Sequence, residues 1–331
     1  MTKVFSLAAA LLGTVSMAQA EALTIYSPQG EDNVAWIEAQ AEAAGHDVDF
    51  LRAGGGELFS RLEAEKNNPQ ADVVLGLNDI AMARLKAQGM FQAHVPTWAD
   101  GLPASYSDAD GVVHKFWQTP IVIAYNPDRI AADAAPSGWL DLTKDAYAQN
   151  YVLGPTKWGT TQVILAGILV QFADENGTVS DDGWDFMADL YGNSVLVSSG
   201  DEKIAALSSG EAAIDLNWFG GAFREAGKSG YDPVLVNPEN GTPIVAEGIA
   251  VMAGTDQADA AKAFVDWFGS VEVMAAYATE FGQMPSHPDA IAAAPAEVQA
   301  KAQLVSAQAI DWDLVAANLD GWLQKIELEI K

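Results

Sequence analysis

The segment Asp72-Val73-Val74-Leu75-Gly76 is apolar at every position after the first, and a strand of that kind has to be covered on both faces. It follows two strand–helix pairs. Leu23-Thr24-Ile25-Tyr26 reads as a short strand, and Val34, Ile37, Ala41 and Ala44 mark a helix starting at about Glu31. Residues 48–51 form a second strand ended by Gly54-Gly55-Gly56. Residues 57–66 form a helix with Leu58, Phe59 and Leu62 inward, closed by Asn67-Asn68-Pro69. Strands that alternate with helices, at least one of them buried on both faces, predict an open α/β sheet.

The pattern restarts further on. Residues 120–125 are an apolar strand stopped by Asn126-Pro127. Strand 151–153, loop 154–159 and helix 160–172 follow, then strand 195–197, helix 202–208 and strand 213–216. Residues 244–252 are strand-like, 258–268 form an amphipathic helix ending at Gly269, and 298–331 read mostly as helix. There is no internal repeat or low-complexity tract. The expected plan is two α/β lobes, with the chain crossing between them more than once.

Residues 1–20 carry the marks of a cleavable export signal: Lys3 near the start, an apolar stretch over 4–15, and the small-x-small site Ala18-Gln19-Ala20. That stretch is shorter than the roughly 20 residues needed to span a bilayer, and nothing later is apolar for long enough. Without the signal about 310 residues remain, more than one ordinary core accommodates. The chain has no cysteine, which excludes a disulfide framework, a thiolate metal site, a cysteine nucleophile and lipidation of an N-terminal cysteine. An exported chain without a lipid anchor points to the periplasm of a double-membraned cell. The formal charge of −28 argues against nucleic acid or anionic lipid as partners. The same acidity also serves solubility, so it does not select a cationic ligand.

In open α/β sheets ligands collect beyond the carboxyl ends of the strands. Four strands here end in loops of small or polar residues that open a helix: Ser27-Pro28-Gln29-Gly30, Gly54-Gly55-Gly56-Glu57, residues 155–161 with Thr156, Lys157, Trp158 and Thr160, and Ser198-Ser199-Gly200-Asp201. Helix starts offer free backbone N–H groups to carboxylate, phosphate or phosphonate, although Ser, Thr and Asp in such places also serve simply as caps. Asn217-Trp218-Phe219 follows a strand and is read as an apolar wall, with core packing as the alternative. Trp117 and Trp158 are weaker candidates of the same kind. No catalytic residue is expected. The motifs GxSxG, HExxH and GxxxxGK[ST] are absent, and His46, His94, His114 and His287 are scattered away from the strand ends. Neither a metal nor a cofactor is expected.

Read together, Leu23-Thr24-Ile25-Tyr26-Ser27, Gly55-Gly56-Glu57-Leu58-Phe59-Ser60-Arg61-Leu62, Asn68-Pro69-Gln70-Ala71-Asp72, Pro155-Thr156-Lys157-Trp158-Gly159-Thr160, Gly210-Glu211-Ala212-Ala213-Ile214 and the segment 260–267 form an ordered series. In that order the chain resembles the periplasmic substrate-binding proteins of ABC importers, specifically the type 2 group of ferric-iron, thiamine, and phosphonate or sugar-phosphate binders. The resemblance implies a monomeric, non-enzymatic, two-lobed protein that closes on a small molecule and delivers it to a permease in the inner membrane. It also implies crossing strands near 118–125 and 244–248. The implied lobes are 21–119 plus 246–285, and 120–245 plus 286–331.

The resemblance leaves the ligand open. Iron binders place two tyrosines where this chain has Trp218 and Phe219, and neither ring supplies the hard oxygen donor ferric ion requires. The stretch 71–78, ending in Asn78, is similar to thiamine binders, whose ring would suit the tryptophans. The favoured reading is a phosphonate or phosphorylated small molecule held by the helix starts near Ser27, Gly55, Gly56 and Thr160 with Lys157. Glu57 or Glu247 would take an amine or hydroxyl. If the export signal is read correctly, N-terminal sequencing of periplasmic protein should begin at Glu21; material still starting at Met1 would contradict it.

Overall fold

Strand β1 (Leu23–Ser27) pairs in parallel with β2 (Val48–Arg52) on one side and with β3 (Val73–Asn78) on the other in the computed structural model, which describes residues 21–331. The export signal read over residues 1–20 lies outside the described residues. The remaining strands are β4 (His114–Tyr125), β5 (Tyr151–Leu153), β6 (Val195–Leu196), β7 (Ile214–Trp218), β8 (Val234–Val236), β9 (Ile244–Val251) and β10 (Met284–Pro285). Their order is β2-β1-β3-β9-β4-β7-β5-β6, with β10 and β8 also on β4.

Two strands run from one lobe into the other. β4 pairs with β9 and β10 over its first part, then with β7 from Ile121 and with β8 from Ile123. β9 lies antiparallel to β3 and to β4. The sheet is therefore mixed: parallel within β1–β3 and β5–β7, antiparallel where the crossing strands enter.

Alternating side chains of the first sheet feed two cores. Ile25, Val73, Leu75 and Ile249 pack on one face with Phe116, Trp117, Phe264, Phe268 and Tyr277. Tyr26, Val74 and Leu77 pack on the other with Leu58, Leu62, Met82 and Leu85. In the second lobe, Ile123, Tyr151, Leu153, Ile214 and Leu216 meet Ile164, Leu165 and Leu190 and, from the end of the chain, Leu319 and Trp322. Among the described residues no helix is long and apolar enough to cross a membrane.

Several elements differ from the sequence expectation. β4 begins at His114, six residues before the apolar run: Lys115 and Gln118 interrupt its hydrophobic pattern, yet its backbone pairs with β9 from His114 on, with a bulge between Lys115 and Trp117. The helix expected over 160–172 runs Gly159–Leu169. The tail is not one helix: Ala296–Ala302 and Trp312–Lys325 are separated by an irregular span. Residues 286–302 pack with the first lobe, since Ala290 lies in its core and Ala294 and Val298 sit against Ala278.

The helix Trp312–Lys325 is anchored by Trp322, which is buried and donates its indole N–H to the Gly177 carbonyl at 3.0 Å. Trp322→Ala should lower unfolding free energy by roughly 3–5 kcal/mol, from lost burial and an orphaned carbonyl. Denaturant titration checks this, and a loss below about 1 kcal/mol would contradict the packing described.

Candidate functional site

The crossing strands form the floor of the cleft, and their central side chain is Glu247 of β9. In register it stands opposite Trp117 of β4. Its Oε2 accepts the Gln29 side-chain N–H at 2.6 Å and the Trp117 indole N–H, and Thr119 donates to the same carboxyl. Gln29 reaches it by passing over Gly76, where φ is +98° and a Cβ would come within 2.7 Å of the Gln29 nitrogen. A residue with a side chain there would both strain the backbone and displace Gln29. Removal from water pushes the Glu247 carboxyl up to about 7, and the bonds from Trp117, Gln29 and Thr119 hold it below where burial alone would put it.

Above this floor lies a cavity of about 470 Å³ lined from both lobes. Gly55, Gly56, Asn78 and Arg84 come from the first, Lys157, Gly159 and Gln162 from the second, and Glu247 from below. Two helices start at its wall, Gly55–Ala64 and Gly159–Leu169, and neither has a side-chain cap. Their first-turn N–H groups are thus left for another acceptor. Around Gly56 and Gly159 a Cβ would meet nothing within 4 Å, so the backbone there opens onto free space. Asn78 differs, since its Oδ1 caps its own helix by accepting from Ala81 N–H at 3.1 Å.

A second cavity, about 280 Å³, lies across Thr119 and is lined by Trp218, Phe219, Phe223, Phe281 and Met284, with Lys301 among its polar residues. Trp218 stands at the carboxyl end of β7, and a buried polar cluster fixes this end. Lys203 pairs with Asp215 at 2.7 Å and Glu225 at 3.2 Å, and Asn217 donates to both carboxylates while its Oδ1 accepts the Trp218 N–H at 2.9 Å. Burial pushes the Asp215 carboxyl up against the opposing pull of Lys203.

The structure thus brings Gly55, Gly56, Asn78, Lys157 and Glu247 together around one cavity, with Gln29 bonded to Glu247, and puts Trp218 and Phe219 on the neighbouring one. Other residues named from the sequence are engaged elsewhere. Ser27 is buried, its hydroxyl accepting from Gln29 N–H at 3.3 Å. Thr156 is buried and donates to Glu327, and Trp158 packs on Val152, Val195 and Val197. Trp117 is stacked on Tyr277 at 4.3 Å inside the first core and reaches the site only through its N–H. Asn217 spends its amide within the Lys203 cluster, and Ser199 caps its own helix by accepting from Glu202 N–H at 3.2 Å. Glu57 is exposed, and neither it nor Thr160, which sits in the first turn of its helix, lines the two cavities. Arg84 and Gln162 line the larger cavity without having been singled out from the sequence, and Phe59, read there only as an inward core residue, lines it too. Gln162 had a signal: it lies three residues after Gly159 and shares its helix face.

The family model described as bacterial extracellular solute-binding protein matches residues 68–318. A Sinorhizobium fredii protein named as a probable ABC transporter periplasmic-binding protein is 56% identical over 327 residues, 99% of this chain and 91% of its own length. A Salmonella typhimurium periplasmic protein named as a candidate binder of 2-aminoethylphosphonate is 23% identical, covering 94% of each chain. Among solved structures, iron-bound HitA from Pseudomonas aeruginosa aligns with a TM-score of 0.78 at 19% identity, covering 93% of this chain and 99% of the other. AfuA from Actinobacillus pleuropneumoniae, with fructose-6-phosphate bound, aligns with a TM-score of 0.71 at 22% identity, over 93% and 98%. At these identities the structural likeness is one of fold.

A carboxyl titrating near 7 in the folded state and near 4.5 when unfolded binds more protons in the folded state. Its effect on stability is therefore absent well below pH 4.5 and grows as a penalty up to pH 7 and beyond. Glu247→Gln keeps one oxygen for Gln29 and Trp117 and removes the charge. The variant should gain up to about 3 kcal/mol over wild type at pH 8 and little at pH 4, read by denaturant titration of the ligand-free protein. An equal difference at both pH values would contradict the desolvated carboxyl.

Proposed function

We propose that this chain, which belongs to the bacterial extracellular solute-binding proteins as a type 2 substrate-binding protein of an ABC importer, carries a small phosphonate or phosphorylated organic molecule that also bears an amine or hydroxyl. The family implies a periplasmic location, a small-molecule ligand and a permease in the membrane as partner. Its relatives are binding proteins, not enzymes. The observation that carries the ligand reading is a single cavity where Lys157 and two uncapped helix starts share walls with Glu247.

The chemistry follows from those groups. Backbone N–H groups at Gly55, Gly56 and Gly159 and the Lys157 ammonium would receive the anionic oxygens. The Glu247 carboxyl would meet an amine, which favours its ionised form and releases a proton on binding where the free carboxyl is still protonated. Trp218 and Phe219 would cover an apolar part of the ligand. Among the described residues no tyrosine lines either cavity, and the Tyr26 hydroxyl is taken up by Glu65 and Arg61, which speaks for an organic ligand over bare ferric ion.

Closure would work by differential affinity, the ligand touching both lobes only in the closed form. The lobes we propose are 21–119 with 246–302, and 120–245 with 303–331, joined by β4 and β9. The protein would act as a monomer.

Calorimetric titration with 2-aminoethylphosphonate tests the reading. Lys157→Ala should weaken binding about tenfold or more and flatten its salt dependence. Trp218→Ala should cost roughly 1–3 kcal/mol. Unchanged affinity in both folded variants would overturn the site, and an intense visible band on adding ferric citrate would favour iron.

A further inference from the structure

Arg84 lies on helix Asp79–Ala87 of the first lobe and lines the larger cavity beside Asn78 and Ala81. Its guanidinium is held by the helix Trp312–Lys325: Nε donates to the Ala316 carbonyl at 3.2 Å, and Nη2 pairs with Asp320 at 2.8 Å. That helix buries Val315, Leu319 and Trp322 in the core of the second lobe. The two bonds therefore join the lobes at the edge of the cavity.

Three features make the arrangement exchangeable. Among the described residues, Arg84 and Lys157 are the two cations lining the cavity, one from each lobe. The Asp320 side chain is 81% exposed against 26% for Arg84, and an ion pair so open to water contributes little. A guanidinium carries five N–H donors in a planar fork, more than these two bonds use, and it matches a phosphonate or phosphate bidentately. A doubly charged anion in a closing, partly dry cavity is a stronger acceptor than a solvated carboxylate at its rim.

We propose that Arg84 is a second anion contact, passing from Asp320 to the ligand as the lobes close, so that the anion is clamped between Arg84 of one lobe and Lys157 of the other. This rests on the anionic-ligand reading above. It has a consequence in sign: Asp320 competes with the ligand for Arg84, so removing its charge favours binding even though it removes an ion pair.

The test is calorimetric titration of the full chain with 2-aminoethylphosphonate and with fructose 6-phosphate, each variant being checked for folding by thermal melting. Arg84→Ala should weaken binding about tenfold or more, and Arg84→Lys, which keeps the charge and loses the fork, should fall between. Asp320→Asn should tighten binding about two- to fivefold, an effect absent when Arg84→Ala is already present. Folded Asp320→Asn protein with unchanged or weaker affinity overturns the exchange, as does Arg84→Ala binding like wild type. If Lys157→Ala weakens binding while both Arg84 and Asp320 variants do not, this inference alone fails. Wild-type protein that binds neither compound overturns it together with the ligand reading.

Discussion

The antiparallel ladder between β4 and β9 carries the backbone from one core to the other, and the cavity that Glu247 lines sits on it. Asp79 ties the two strands together. It starts the helix after β3, accepts the Ala246 N–H of β9 at 2.5 Å and pairs with Lys115 of β4 at 2.7 Å. Burial pushes its carboxyl up, while Lys115 and the Ala246 N–H pull the other way. Breaking a buried pair of this kind by removing one partner costs roughly 3–5 kcal/mol, because the other charge stays behind unpaired. The same helix then sends Arg84 toward the cavity and the Trp312–Lys325 helix, so one short element ties floor, wall and rear contact together.

The cavity chemistry runs against the charge of the whole molecule. Only 17 of its residues are Lys or Arg against 45 Asp or Glu, yet two of the 17 line the same cavity with two uncapped helix starts. Local fields in a partly desolvated cleft outweigh distant surface charge, which solvent and salt screen within about 10 Å. An anionic ligand is in this way compatible with so acidic a chain.

The legible part of this fold was its strands. Val73, Val74 and Leu75 announced a strand buried on both faces, and the glycine-rich loops after strands announced helix starts, because both signals are local. Helix Asp79–Ala87 and the first half of β4 stayed hidden: Lys115 and Gln118 look solvent-exposed until Asp79 and Tyr106, distant in sequence, are seen to pair with them. The site divided in the same way. Lys157, Gly55 and Gly56 could be named from strand ends, and Glu247, in the middle of β9, only through the family resemblance, whereas Asn217 and Thr156 looked equally available until Lys203, Asp215, Glu225 and Glu327 claimed them. Arg84 had no local signal at all, since its meaning depends on Asp320 and Ala316 more than 230 residues away.

Native mass spectrometry of protein purified from cells without refolding bears most directly on the cleft as a binding site for a small organic anion. The protein should retain one ligand whose mass, on release and fragmentation, belongs to a phosphorus-containing molecule of a few hundred daltons or less, and Lys157→Ala protein should retain much less of it. A retained mass corresponding to ferric ion, or an organic ligand without an anionic group held equally by both proteins, would contradict this assignment.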